Sequence, residues 1–157
     1  MQAFKSSEVV QFAVQIEING EKFYKTLVKK LKNEKVTDMF GYFAEQEVFH
    51  KAKFSNMLKK IETFEPAESY TGEYFAYLQA YVENAIFTKP DTADRVIAKV
   101  KDDRDAVELA IGFEKDSVLY FLEMKRFVPE NEQAIIDKII DEEREHYLKL
   151  SELLKHL

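Results

Sequence analysis

Two residues interrupt an apolar helical stripe in the stretch Phe40-Gly41-Tyr42-Phe43-Ala44-Glu45-Gln46-Glu47-Val48-Phe49-His50. Apolar side chains recur at spacings of three and four residues from Phe40 to Ile61, which predicts a helix with one buried face. Glu47 and His50 occupy positions within that stripe. Because residues three apart lie on one face of a helix, we expect both side chains to point at the same spot in the core.

The same Glu-x-x-His pattern returns near the end of the chain. Glu143 and His146 lie in the apolar stripe of the last predicted helix. Two further helical stripes carry one glutamate each, Glu17 and Glu114. Glu17 precedes Glu47 by 30 residues. Glu114 precedes Glu143 by 29 residues, so the chain repeats a unit of one glutamate followed by Glu-x-x-His.

These six polar residues need compensation if they are buried. Burying one carboxylate costs several kcal/mol unless another charge or hydrogen bonds offset the cost. The glutamates would also repel one another, and neutral histidines do not neutralise them. Two divalent cations would, and carboxylate oxygens and imidazole nitrogens suit iron, manganese or zinc. The sequence therefore predicts a two-metal site formed by Glu17, Glu47, His50, Glu114, Glu143 and His146.

Long helices are expected because helix breakers are few. The chain has 4 glycines and 3 prolines, and a proline cannot occupy the interior of a helix. Asn19-Gly20 is a hairpin signal. However, the apolar residues around it repeat at helical spacing, so we predict a helix through it. The predicted helices cover residues 5–32, 37–63, 69–87, 103–127 and 130–156, with a short one over 92–100.

The predicted fold is an all-α four-helix bundle, with one domain over residues 1–157. The helix pairs 5–63 and 103–156 each supply one glutamate and one Glu-x-x-His motif. Two such pairs facing each other enclose a metal site with approximate twofold symmetry. Residues 64–102 form a long crossover that contains an additional helix.

The composition excludes several kinds of site and partner. The 157 residues include no cysteine, which excludes disulfides, thiolate metal sites and cysteine nucleophiles. A net charge of −6 argues against a nucleic-acid partner, which would select a basic face. No apolar run approaches the roughly 20 residues of a membrane span. We therefore expect a soluble cytoplasmic protein with neither a nucleic-acid nor a membrane partner.

Other polar residues lie near the predicted ligands in the sequence. Glu142 is an alternative to Glu143, because it lies four residues before His146, although the apolar stripe favours Glu143. Glu21 is interpreted as a solvated residue or a neighbour of the ligands. Three tyrosines are interpreted first as core packing and then as neighbours of the site, because a buried hydroxyl needs a partner. They are Tyr24, Tyr120 and Tyr147.

The sequence around these residues resembles the rubrerythrin family. The stretches Glu17 to Tyr24 and Ala44 to His50 are similar to its first two bundle helices. The segments Glu114-Lys115-Asp116-Ser117 and Glu142-Glu143-Arg144-Glu145-His146 are similar to its second half. The resemblance covers essentially the whole chain. It implies a ferritin-like bundle with a di-iron centre, for which manganese and zinc are the alternative metals.

The resemblance also implies a role for each ligand and an activity. The reduced centre would react with hydrogen peroxide or dioxygen, so the expected function is an oxidoreductase that protects against oxidative stress. The bridging carboxylates would be Glu47 and Glu143, and the terminal ligands would be Glu17, His50, Glu114 and His146.

Two features depart from the family pattern. Typical members carry a rubredoxin domain, whereas this cysteine-free chain needs a separate electron donor such as rubredoxin. Typical members also carry a carboxylate three residues after the third-helix ligand, where this chain has Ser117. The remaining ligand set also resembles bacterioferritin-type ferroxidase centres. The alternative functions are therefore an iron-oxidising or iron-storing protein and a bundle that holds a structural metal.

The predicted helix over 69–87 is rich in aromatic residues. We expect these side chains to pack across the bundle and to offer a face for a homodimer. They are Tyr70, Tyr74, Phe75, Tyr77, Tyr81 and Phe87.

Overall fold

The described part of the chain consists of helices and turns. This computed structural model describes residues 5–61, 64, 72–84 and 87–157, without the side chains of Tyr74 and Phe75. None of the described residues lies in a β-strand, so the predicted all-α class is confirmed for these residues. None of these helices is both long enough and apolar enough to cross a membrane. They are α1 (Ser6–Lys30), α2 (Glu34–Lys60), α3 (Gly72–Asn84), α4 (Thr92–Ile97), α5 (Asp103–Met124), a 3-10 turn (Lys125–Phe127) and α6 (Glu130–Leu154).

Helix ends depart from the predicted ones by up to three residues. The start of α2 at Glu34 is the clearest case, because the prediction placed it at residue 37. Asn33 Oδ1 accepts a hydrogen bond from the amide of Lys35 at 3.0 Å, which caps the helix early. Parts of two predicted helices lie outside the described residues, namely 62–63, 69–71 and 85–86.

The four long helices pack as two antiparallel pairs that face each other. α1 packs along α2, and α5 packs along α6. Between the pairs, Tyr24 Oη on α1 donates to Glu114 Oε1 on α5. Tyr120 Oη on α5 donates to the carbonyl oxygen of Val9 on α1 at 2.7 Å. Residue numbers therefore rise along α1 as they fall along α5, which makes these two helices antiparallel as well.

The crossover is tied to the bundle by hydrogen bonds to two different helices. Asn19 Nδ2 on α1 donates to the carbonyl oxygens of Phe87 and Lys89, at 2.9 and 2.8 Å. Tyr81 Oη on α3 donates to the carbonyl oxygen of Asp116 on α5 at 2.6 Å. Each bond satisfies a backbone carbonyl with a side chain from a distant segment, so the crossover has a fixed position over α1 and α5.

Aromatic side chains of the crossover pack onto the bundle, as their abundance predicted. The ring of Tyr81 stacks on Tyr120 with centroids 6.1 Å apart, and Phe87 packs on Phe113 at 4.5 Å. Tyr77 leaves 49% of its surface exposed. A homodimer through this face stays a prediction. The predicted aromatic residues whose side chains lie outside the described part are Tyr70, Tyr74 and Phe75.

Gly20 lies where α1 meets both α2 and α5. The helix continues through Asn19 and Gly20, which agrees with the helical spacing and not with the hairpin signal. A Cβ atom added to Gly20 would lie 2.6 Å from Glu47 Oε2 and 2.6 Å from Phe113 Cζ. Both distances are too short for a real contact, so only glycine lets these side chains approach the α1 backbone.

Substitution of Gly20 is expected to overpack the core. Gly20→Ala should lower the free energy of unfolding by about 1–3 kcal/mol, because the new methyl group displaces side chains in a filled interior. Gly41→Ala is the matched control, since Gly41 also lies inside a helix but its added Cβ would meet nothing within 4 Å. The control should gain about 0.5–1 kcal/mol from the better helix propensity of alanine.

Guanidinium unfolding of the metal-free proteins, followed by circular dichroism, measures both effects. Equal changes from the two substitutions would contradict the close packing assigned to Gly20.

Candidate metal centre

The predicted ligands lie together in the centre of the bundle, with α1 and α5 supplying one each and α2 and α6 supplying two each. All are buried: the glutamates are 0% exposed and the histidines 1% exposed. The structure therefore brings together every residue of the predicted site, and their binding of metal stays a prediction. They are Glu17, Glu47, His50, Glu114, Glu143 and His146.

The site consists of two overlapping groups of four residues. Within each group, the possible ligand atoms all lie within 4.8 Å of one another. The first group is Glu17, Glu47, His50 and Glu143, and the second is Glu47, Glu114, Glu143 and His146. Glu47 and Glu143 belong to both groups. If each group bound one ion, Glu47 and Glu143 would be ligands available to both ions.

Glu143 faces one histidine with each of its oxygens. Its Oε1 lies 3.0 Å from His50 Nδ1, and its Oε2 lies 2.9 Å from His146 Nδ1. Glu17 Oε2 lies 3.7 Å from His50 Nδ1. Glu114 Oε1 lies at the same distance, 3.7 Å, from His146 Nδ1. The two halves of the site thus repeat one arrangement, as the sequence repeat predicted.

Several buried oxygens of the site have no hydrogen-bond partner within the described residues. They are both carboxylate oxygens of Glu17, both of Glu47, and Oε2 of Glu114. Leaving a buried acceptor unpaired costs about 1–3 kcal/mol, and more if it is charged. Divalent cations would bind these oxygens together with the imidazole nitrogens, and this donor set suits iron, manganese or zinc. The residues present therefore fit a two-metal centre.

The glutamates differ in pKa because their neighbours differ. Burial raises the pKa of Glu17 and of Glu47 well above the usual range. Burial and then the charge of Glu143 raise the pKa of Glu114 to about 8. Glu143 is the exception, because the charge of His50 and hydrogen bonds from both imidazoles outweigh its burial and lower its pKa. Glu143 is therefore the carboxylate that stays ionised most readily.

His50 and His146 are both in the cationic form, with a proton on each ring nitrogen, in the metal-free site at neutral pH. Burial would lower the pKa of His50, but the charge of Glu143 and the hydrogen bond that His50 donates to it raise that pKa to about 10. Burial is likewise outweighed at His146, where the nearby carboxylates of Glu114 and Glu143 raise the pKa to about 10. A metal ion must displace these protons to bind the imidazoles.

Tyr24 closes one side of the site. It is fully buried, and its hydroxyl donates to Glu114 Oε1. Its ring lies edge-on to Phe40 and Phe43, with centroids 5.0 and 5.5 Å away. Burial and then the charge of Glu114 raise the pKa of Tyr24 well above its usual value, so the hydroxyl stays a donor. This side of the site is apolar apart from one directed hydrogen bond.

Glu142 lies outside the cluster of predicted ligands. Its Oε2 lies 2.8 Å from His50 Nε2, the ring nitrogen that faces away from Glu143. The structure thus separates the two candidates from the sequence, with Glu143 inside the site and Glu142 behind a histidine. Sequence spacing did not reveal this contact, because it joins α6 to α2 and no pattern within one helix encodes it.

The other predicted neighbours have different surroundings. Glu21 pairs with Lys25 and Lys51 at the edge of the site. Tyr147 is 41% exposed. Tyr120 is buried, but its hydroxyl reaches a backbone carbonyl and not the cluster. Of the three tyrosines predicted to lie near the site, Tyr24 is the one whose hydroxyl donates to a candidate ligand.

Ser117 lies three residues after Glu114, at the position where the resemblance implies an additional carboxylate in typical members of the family. It is 1% exposed, and its Oγ donates to the carbonyl oxygen of Phe113 at 3.0 Å. Phe113 lies one turn earlier in α5, so the serine hydroxyl is bonded within its own helix. The candidate ligand set therefore remains at four glutamates and two histidines.

Comparison with known proteins places the chain in a family. A family model described as Rubrerythrin matches residues 8–154. Among solved structures, the chain is similar to one described as a candidate ferritin-like diiron-carboxylate protein from Thermotoga maritima. The two chains are 29% identical with a TM-score of 0.75, over 99% of this chain and 97% of the other. No match was found among curated proteins.

These matches confirm the resemblance found in the sequence and the ferritin-like fold. Together with the buried glutamate and histidine cluster, they support a di-iron centre. Because the family model covers nearly the whole chain, the chain belongs to the rubrerythrin family.

Proposed function

We propose that the protein is a di-iron oxidoreductase that reduces hydrogen peroxide or dioxygen with electrons from a separate donor. The observation that carries this proposal is the pair of overlapping buried groups that share Glu47 and Glu143. Membership of the rubrerythrin family supports iron as the metal. Manganese and zinc are the other metals that the donor set suits.

Each metal position has its own residues in this proposal. Glu47 and Glu143 would bind both ions, because they belong to both groups. The remaining ligands would be Glu17 and His50 for one ion, and Glu114 and His146 for the other. Two ferrous ions held by these residues would supply one electron each, and the two electrons together with two protons would reduce one hydrogen peroxide to two waters.

A pocket large enough for a small oxidant borders the proposed centre at His50. A pocket of about 110 Å³ lies between α2 and α6, and His50 forms part of its wall together with Phe49 and Glu142. One water occupies about 30 Å³ in the liquid, so the pocket has room for a molecule the size of hydrogen peroxide. On the opposite side, Tyr24 and the phenylalanines around it exclude water from Glu114.

The electrons must come from outside these 157 residues. The chain has no cysteine, and rubredoxin-type iron is held by cysteine thiolates. A small redox protein such as rubredoxin is the proposed donor.

Hydrogen peroxide should oxidise the ferrous protein faster than it oxidises free ferrous iron. The anaerobic protein is loaded with ferrous iron, its iron content is measured, and peroxide oxidation is followed by stopped-flow absorption. We expect about two irons per chain, in agreement with the two groups. Glu47→Gln should lower the iron content and slow oxidation towards the rate of free ferrous iron, because Glu47 belongs to both groups.

Glu45→Gln is the matched control, since Glu45 lies two residues earlier on the exposed face of α2. It should leave iron content and oxidation rate unchanged. A wild-type rate no faster than that of free ferrous iron would contradict the proposed function. Equal losses in the two variants would contradict the role given to Glu47.

A second candidate function is iron oxidation for storage, and Ser117 favours it. Ser117 stands where typical members would carry a further carboxylate, and its hydroxyl is bonded to the backbone of α5. The candidate ligands are therefore the four glutamates and two histidines that this alternative requires. A mineral store also needs a closed shell of many subunits. Analytical ultracentrifugation distinguishes the two candidates, because a mass near that of one or two chains contradicts storage.

The stability of the metal-free protein should fall as pH rises. Glu114 has a pKa of about 8 in place of 4.5, and His50 and His146 have pKa values of about 10 in place of 6.5. A raised pKa in the folded state contributes stability that is lost as pH rises from the ordinary value through the folded one. The lowered pKa of Glu143 has the opposite sign, but it acts only at acid pH.

Melting temperatures measured by calorimetry between about pH 7 and 9 test this expectation. The metal-free protein should melt at lower temperature as pH rises. The zinc-loaded protein should not, because the metal replaces the protons, and the stabilisation by zinc should therefore increase with pH. A zinc effect that shrinks with rising pH would contradict the protonation assigned to the site.

A further inference from the structure

We infer that Glu142 fixes the imidazole of His50 and makes the two metal positions unequal in affinity. This inference rests on the proposed metal centre and concerns a residue outside the ligand set. Glu142 acts here as a positioning residue, since its contact is with His50 and not with the predicted metal positions.

The two ring nitrogens of His50 face opposite surroundings. Nδ1 lies 3.0 Å from Glu143 Oε1, on the side of the cluster. Nε2 lies 2.8 Å from Glu142 Oε2, on the side of the pocket between α2 and α6. Because a carboxylate accepts hydrogen bonds, Nε2 donates its hydrogen to Glu142. A metal would displace the proton that Nδ1 shares with Glu143, while the hydrogen on Nε2 stays bonded to Glu142, so Nδ1 is the nitrogen that would bind the metal.

The second half of the site lacks this arrangement. Both carboxylate contacts of His146 are made by Nδ1, and no described carboxylate lies within ion-pair distance of its Nε2. Its ring instead packs on Phe43, with centroids 4.3 Å apart, and near Tyr42 at 6.1 Å. The residue that corresponds to Glu142 in the first repeat, one position before Glu47, is Gln46.

This difference has a consequence for the metals. A carboxylate that accepts the outer N–H of a histidine fixes the ring orientation and makes the other nitrogen a stronger donor. His50 receives this support and His146 does not. The position formed by Glu17 and His50 should therefore bind its metal more tightly and fill first, although the inner ligands of the two halves match.

Titration of the metal-free protein with cobalt(II), followed by its visible absorption, tests the inference. The wild type should bind two cobalt ions with two distinct affinities. Glu142→Ala should weaken the tighter step by about 10- to 100-fold and leave the weaker step unchanged. Gln46→Ala is the matched control and should leave both steps unchanged, because Gln46 holds the corresponding position in the other repeat.

Glu142→Gln gives a second, conservative variant. Its amide oxygen can still accept from His50 Nε2, so it should retain part of the affinity that Glu142→Ala loses. In the zinc-loaded protein, the Nε2–H proton of His50 should give a slowly exchanging NMR signal that persists in Glu142→Gln. In Glu142→Ala this signal should exchange with water faster. Circular dichroism shows whether each variant folds, and Glu142→Gln alone suffices if Glu142→Ala does not.

Equal cobalt affinities in the wild type would overturn the inference, and so would equal weakening of both steps in Glu142→Ala. If cobalt binds in two unequal steps as expected but the ferrous protein does not react with peroxide, only the proposed oxidoreductase function fails. If the wild type binds no cobalt at all, both proposals fail.

Discussion

Six buried ionisable side chains form the centre of this bundle. Each long helix supplies only one or two of them, so the site exists only when four helices meet at one level. Apolar stripes above and below that level supply the burial that holds the helices together. The electrostatic cost of the cluster is thus met by the packing of the whole fold, and metal ions would remove much of that cost.

The fold and the inner residues could be predicted because both follow from spacing within a helix. Glu47 and His50 stand out only against the apolar residues around them, and the stripe fixes the face on which they lie. The repeat then matches Glu17 with Glu114 without any knowledge of the tertiary structure. A pattern of this kind also overrides a local signal, as it does at Asn19 and Gly20.

Contacts between distant helices could not be predicted in the same way. The bond from His50 to Glu142 depends on how α2 and α6 approach each other, which no spacing within either helix encodes. Ser117 could be placed in the core from its stripe, but spacing along a helix does not encode the bond of its hydroxyl to the backbone of the same helix. The early start of α2 depends on the side-chain conformation of Asn33, a choice between local bonds that sequence patterns describe poorly.

Gly20 has a bearing on how such a centre could be moved to another protein. The six candidate ligands are easy to copy, since they are defined by helix positions alone. The space that Glu47 and Phe113 fill beside α1 is harder to copy. It exists only because Gly20 has no side chain. A bundle that received the ligands without this glycine would hold its helices farther apart and its carboxylates out of reach. The position on α1 that carries no side chain therefore matters as much as the six candidate ligands themselves.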